Sequence, residues 1–160
     1  MNIPIRSSRF VTGMTLLELM VVVALVAIIA TIAVPGFNNL LQQHRTSSQA
    51  MQLFHSIQFA RTEAVRLNAP IRLSAHNNGW CVHSGDSCTE NSALREYANA
   101  SQLQASTMSN MTFDGRGRRT APNSANLQVR FQGSDCHGNQ ANLVSVNPLG
   151  YPTVSKVSCL

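Results

Sequence analysis

Four groups of residues in this 160-residue chain have types and spacing that suggest chemistry. The first is four cysteines: Cys81, Cys88, Cys136 and Cys159. Their number is even, and four thiols allow three pairings between which sequence alone does not choose. Nearest-neighbour bridges, Cys81–Cys88 and Cys136–Cys159, are the expected pairing. Each would add about 2–4 kcal/mol by restricting the unfolded chain, and such bridges persist only in an oxidising compartment. The second group is Arg116-Gly117-Arg118-Arg119, with three guanidiniums in four residues. On a flexible loop such a cluster grips phosphates bidentately, so Arg116, Arg118 and Arg119 are the candidate DNA contacts. The competing and preferred reading is a β-turn with solvated arginines, because only Phe113 stands beside the cluster as a surface for base stacking. The third is Glu18, the only charged side chain between Arg9 and His44, set inside an apolar run. A carboxylate in a membrane segment costs a few kcal/mol, so such a residue is usually functional. The fourth is five histidines. His44 and His55 fall on a helical pattern as partly exposed residues, and His76, His83 and His137 fall in polar loops.

Several chemistries are disfavoured. No glycine-rich phosphate loop, nucleophile motif or metal-ligand cluster is legible, and no cysteine pair has C-x-x-C spacing. Asp86 and Asp135 each neighbour a cysteine loop and are expected to cap turns. The chain is therefore expected to be no enzyme, with no cofactor and no metal. The net charge of +5 is carried almost wholly by arginine, Lys156 being the only lysine. A charge of this size permits contact with anionic surfaces without requiring it.

The elements that must position these residues divide the chain into four segments. Residues 1–13 are polar and basic, with Arg6 and Arg9. Residues 14–34 are nearly continuous apolar sequence, interrupted by Thr15, Glu18 and Thr31. As a helix this run extends roughly 30 Å, the thickness of a bilayer's hydrocarbon core. The basic residues before it leave the N-terminus cytoplasmic and send the rest across. An ordinary secretory signal would have a shorter apolar region, and the only small-x-small candidate after it is Thr31-Ile32-Ala33. Residues 35–68 open on Pro35-Gly36, which should kink or locally melt a helix. An amphipathic helix follows, with Phe37, Leu40, Leu41, His44, Ser47, Met51, Phe54, Ile57, Ala60, Ala64 and Val65 as its expected buried stripe. Asn68-Ala69-Pro70 is its stop signal.

Residues 69–160 read as short strands between loops: 71–74, 80–82, 111–113, 127–131, 143–146 and 153–157. Asn77-Asn78-Gly79 is a hairpin turn. Residues 83–110 are ambiguous, with a short helix expected around Ala93–Ala98. The fold class is α+β, a long helix packed on an antiparallel β-sheet globule.

The stretch Gly13-Met14-Thr15-Leu16-Leu17-Glu18 resembles the type IV prepilin signature, a glycine before an apolar stretch with a glutamate near its start. The resemblance implies cleavage after Gly13 by a membrane prepilin peptidase, with methylation of the new N-terminus at Met14. Phe is commoner there, and Met14 keeps a large apolar residue. It also implies that Glu18 neutralises the N-terminal amine of a neighbouring subunit, which is reasonable because a buried charge is tolerable when paired. Within these proteins, Phe59-Ala60-Arg61-Thr62-Glu63-Ala64-Val65, Gly79-Trp80 and Phe113-Asp114-Gly115-Arg116-Gly117 resemble the FimU/FimT and GspH group of minor pilins and pseudopilins. Arg61 and Glu63 are then candidates for subunit contacts, or else solvated helix charges.

The implied reading is a minor pilin of the FimU kind, in a small complex that primes pilus assembly and joins the tip to the shaft. Its partners would be other minor pilins and the major pilin. It would sit in the inner membrane as a single-pass protein with a periplasmic globular domain, then in the pilus or pseudopilus. The alternatives are a GspH-type pseudopilin of type II secretion and a DNA-uptake pilin. For the last, Gly115-Arg116-Gly117-Arg118 resembles a G-R-x-R motif found near the C-terminus of some FimT-type pilins. Here the C-terminal place reads Gly150-Tyr151-Pro152-Thr153.

Overall fold

The computed structural model describes residues 14–99, 103–105, 108–122, 126–134, 136–138 and 140–160. The leader residues, Gly13 among them, lie outside it, as does Asp135. Among the described residues one helix and nine strands follow in order: α1 (Leu16–Leu67), β1 (Ile71–His76), β2 (Gly79–His83), β3 (Ala93–Ala98), β4 (Leu103–Ala105), β5 (Met111–Phe113), β6 (Arg119–Ala121), β7 (Leu127–Gly133), β8 (Ala141–Val146) and β9 (Pro152–Val157). The chain forms two compact units, Met1–Asn38 and Asn39–Leu160.

In the first unit, α1 starts on a side-chain cap. The Thr15 hydroxyl accepts the Glu18 N–H at 3.2 Å, which satisfies one of the helix's orphan donors. Glu18 lies in the first turn, where the helix dipole favours an acid. Among the described residues no single helix is long and apolar enough to cross a membrane. Leu16–Thr31 and Gly36–Leu67, taken as a broken pair, meet that test by length and composition.

The second unit is built on the part of α1 from Asn39 onward. Ala50, Leu53, Ile57, Ala60 and Ala64 are fully buried, at spacings of three and four that keep them on one face. Ile57, Ala60 and Ala64 are buried as the expected stripe had them, whereas its members Leu40, Leu41, Met51 and Val65 are exposed, and Ala50 and Leu53 take the buried places instead. The small residues Ala60 and Ala64 belong to the shared core. Past Leu67 the helix ends in a Schellman-type cap: Asn68 has φ 48°, its N–H reaches Val65 O at 3.3 Å, and the Ala69 N–H reaches Ala64 O at 3.2 Å.

The strands form two antiparallel sheets rather than one. The five-stranded sheet has order β3-β2-β1-β5-β6 and the four-stranded sheet β4-β7-β8-β9. Ile71, Leu73, Trp80, Val82, Met111 and Phe113 of the first sheet, and Val129, Phe131, Val144 and Val146 of the second, join the buried helix face in one core. The segment expected as a short helix, Ala93–Ala98, is instead edge strand β3, with Tyr97 opposite Trp80 on β2. Their rings stack at 5.8 Å. Ladder hydrogen bonds and an aromatic cross-strand pair override the helix propensity of Ala, Leu, Arg and Glu. Gly79 is required by this pairing, since a Cβ there would collide with the Tyr97 carbonyl oxygen.

Two disulfides close loops on this unit, Cys81–Cys88 with Cα atoms 6.3 Å apart and Cys136–Cys159 with Cα atoms 5.8 Å apart. The second ties the C-terminus back to the start of β8, where the Cys159 N–H also donates to Gly138 O at 2.9 Å.

Candidate functional site

Three places hold the residues singled out by the sequence. The first is the start of α1. Met14, Leu16, Leu17, Leu19, Met20 and Val21 are all at least half exposed, and apolar residues from Val22 to Ile29 continue the pattern on every side. A helix that is apolar all round is stable in water only when something covers it, whether lipid or other protein. Glu18 is exposed on this surface. Its one described polar contact is the backbone cap, which leaves the carboxylate available to a partner outside the chain.

The second place is the β5–β6 hairpin. The Asp114 carboxylate accepts the backbone N–H of Arg116 at 3.0 Å and of Arg118 at 2.8 Å. These bonds stabilise the ionised form and hold its pKa below the usual carboxylate value, the Arg118 N–H contributing most. Gly117 turns the chain at φ +72°, and its carbonyl accepts the Arg61 guanidinium Nε–H at 2.9 Å. The hairpin is thereby a fixed turn and not a flexible loop.

The arginine cluster is divided by this geometry. Arg116 and Arg118 point to solvent, whereas Arg119 is 7% exposed. Burial lowers its pKa. A β-hairpin alternates faces, so Arg118 and Arg119 cannot point the same way. Two guanidiniums, not three, are therefore presented to an external phosphate.

Arg61 is also not the solvated helix charge or free contact residue the sequence allowed. Its guanidinium carbon lies 4.1 Å from the centroid of the Tyr151 ring, a cation–π contact, while its Nε bonds Gly117. One side chain on α1 thus ties the β5–β6 and β8–β9 turns to the helix. Glu63 forms an exposed ion pair with Arg66 at 2.7 Å, worth little at the surface. A groove of about 480 Å³ beside these residues is lined by Gln58, Arg61, Thr62, Val65, Arg66 and Gly117.

The third place was not foreseen. His76 and His83 lie on β1 and β2 rather than in loops, and His83 is buried. Its Nε2 lies 2.7 Å from Ser74 Oγ and its Nδ1 3.0 Å from Gly85 O. A carbonyl can only accept, so Nδ1 carries the proton and Nε2 accepts from the serine. Burial lowers its pKa, against an opposing effect of the Gly85 bond. Arg72 anchors the same loop through Gly85 O at 2.7 Å and Asp86 at 3.1 Å. Asp86 is therefore an ion-pair partner, where a turn cap was expected. The missed signal is an alternation along β1 and β2: Arg72, Ser74 and His76, with Cys81 and His83, occupy the face opposite Leu73 and Val82.

Solved structures with a similar fold include the type IV minor pilin FimU of Pseudomonas aeruginosa (strain PAO1) in two crystal forms. One is 19% identical with a TM-score of 0.61, covering 72% of this chain and 92% of that one. The other is 20% identical with a TM-score of 0.57, covering 68% and 91%. The curated proteins contain no match. The family model for the type II transport protein GspH matches residues 49–150, from the buried face of α1 to the β8–β9 turn, and the chain belongs to that family.

Proposed function

We propose that this chain is a minor pilin, a structural subunit and not an enzyme, that primes pilus assembly and occupies the tip. The observation that carries the reading is the exposed apolar start of α1 with Glu18 as its single charge. Such a helix suits two successive environments, a bilayer before assembly and a bundle of like helices in the filament. The precursor is held in the inner membrane with residues 39–160 in the periplasm. Prepilin peptidase cleaves after Gly13 and methylates Met14. The new amine pairs with Glu18 of a neighbouring subunit, and that pairing sets the axial register.

The experiment is a pair of variants. Gly13→Val leaves full-length precursor in the inner membrane, while mass spectrometry of the wild type gives a chain starting at methylated Met14. Glu18→Ala is processed and still inserts, since removal of a charge favours insertion, but it is missing from sheared filaments. Recovery of Glu18→Ala in filaments at the wild-type level would overturn the pairing, and an N-terminus at Val34 would mean an ordinary secretory signal.

The family match favours a second reading, a minor pseudopilin of type II secretion. Both readings use the same cleavage and pairing. Deletion distinguishes them: loss of surface pili supports the first, and retention of a secreted enzyme in the periplasm supports the second.

A further inference from the structure

On the outer face of the five-stranded sheet, His76 of β1, Cys88 of the β2–β3 loop and Glu96 of β3 bring a ring nitrogen, a sulfur and a carboxylate oxygen within 4.8 Å of one another. Cys88 Sγ is 3.7 Å from Glu96 Oε1. Cys81, bonded to Cys88, lies directly opposite Glu96 in the β2–β3 register, so its sulfur stands one bond from the sulfur of the cluster. Among the described residues no hydrogen bond engages the His76 ring.

We infer that, when Cys81 and Cys88 are thiols, this cluster binds one zinc(II) ion through both cysteines, His76 and Glu96. Two thiolates, an imidazole and a carboxylate are ligand types that zinc accepts in tetrahedral sites. Zinc–ligand distances of about 2.0–2.3 Å place neighbouring ligand atoms roughly 3.3–3.8 Å apart. Closing His76, Cys88 and Glu96 from 4.8 Å to that range takes rotation of the His76 and Glu96 side chains, which stand on hydrogen-bonded strands, and the Cys81 sulfur enters as the fourth ligand once its bond to Cys88 is broken. The disulfide excludes the ion, because bonded sulfurs carry no thiolate charge and leave two ligands. Disulfide and metal are therefore alternative clasps for one loop. The bridge serves the oxidised protein, and the ion holds the loop over His83 in a chain not yet oxidised. In the binding step two S–H bonds break, two Zn–S bonds form, and two protons leave to water.

The test uses the full chain in detergent micelles. A phosphine reduces the disulfides, its phosphorus taking the oxygen of one water per bond while that water's hydrogens protonate the two sulfurs. Zinc is then added, and the four cysteines are alkylated and mapped by mass spectrometry. Protection of Cys81 and Cys88 with continued labelling of Cys136 and Cys159 is the expected result. Equal labelling of all four with and without zinc overturns the inference. A second measurement uses cobalt(II) as the probe in a Cys136→Ser, Cys159→Ser background. The expected thiolate-to-cobalt charge-transfer band reaches one equivalent, needs the phosphine, and is displaced by zinc. His76→Ala and Glu96→Gln should each weaken it by about tenfold or more. A band of unchanged affinity in both variants would mean that two thiols alone bind the ion, and the four-ligand site would be wrong.

Discussion

His83 gives the unit its clearest pH response. Its pKa is lowered from the ordinary imidazole value mainly by burial, so the folded state resists a proton that the unfolded state accepts. Above the unfolded value both states are neutral and nothing is lost. As the pH falls through 6.5 toward the lower folded value, the unfolded chain binds protons first and stability declines. The melting temperature of the protein should therefore drop between about pH 7 and about pH 5. His83→Gln should flatten that drop, at some cost in stability at neutral pH. Equal slopes for variant and wild type would assign the response to other groups. Asp114 acts in a lower range, because its depressed pKa contributes stability that is lost only as the pH falls through the ordinary carboxylate value.

At the scale of elements, the helix from Asn39 to Leu67 decides how the globule is assembled. Its buried face runs through Leu53 and Ile57, both at 0% exposure, while Met51 is 41% exposed. Leu53→Ala should cost about 2–5 kcal/mol by opening a cavity against both sheets. Met51→Ala should stay within about 0.5 kcal/mol. Trp80 is the single tryptophan and lies in the same core, so its fluorescence in a denaturant titration reads both variants. The reverse order of cost would return Met51 to the buried face. The sequence-derived stripe holds at Ile57, Ala60 and Ala64 and fails at Leu40, Leu41 and Met51 for a physical reason. Apolar residues occur on two faces of this helix, and only one face meets sheets within the chain. Leu40, Leu41 and Met51 form the second face, which is apolar without being core.

At the scale of the molecule, the two units divide the labour. Residues 39–160 carry the core, both sheets and both disulfides, and the first unit carries the exposed apolar start of α1. A fragment covering Asn39–Leu160 should be soluble without detergent and unfold in one cooperative transition. Reduction should lower its melting temperature, since each bridge contributes about 2–4 kcal/mol. Aggregation of the oxidised fragment, or a melt without a cooperative step, would show that the unit depends on the helix before it.

Some of this was legible in one dimension because it depends on composition or on near neighbours. The continuous apolar run with a lone Glu18, the even cysteine count, the Asn68-Ala69-Pro70 stop and the Asn77-Asn78 turn each depend on a few adjacent residues and local backbone physics. The α+β class follows from such signals taken together, and the resemblance to the GspH group rests on the motifs at 59–65, 79–80 and 113–117. The tertiary structure decided whatever depends on a partner distant in sequence. Residues 93–98 become a strand because Trp80 and the edge of β2 stand beside them. Arg119 is buried while Arg118 is not, because a hairpin turns alternate residues to opposite faces. Arg61 becomes a tie because Gly117 and Tyr151 arrive from other elements. His76, Cys88 and Glu96 meet only because three strands and a bridged loop fold over one another, and no spacing along the chain encodes that meeting.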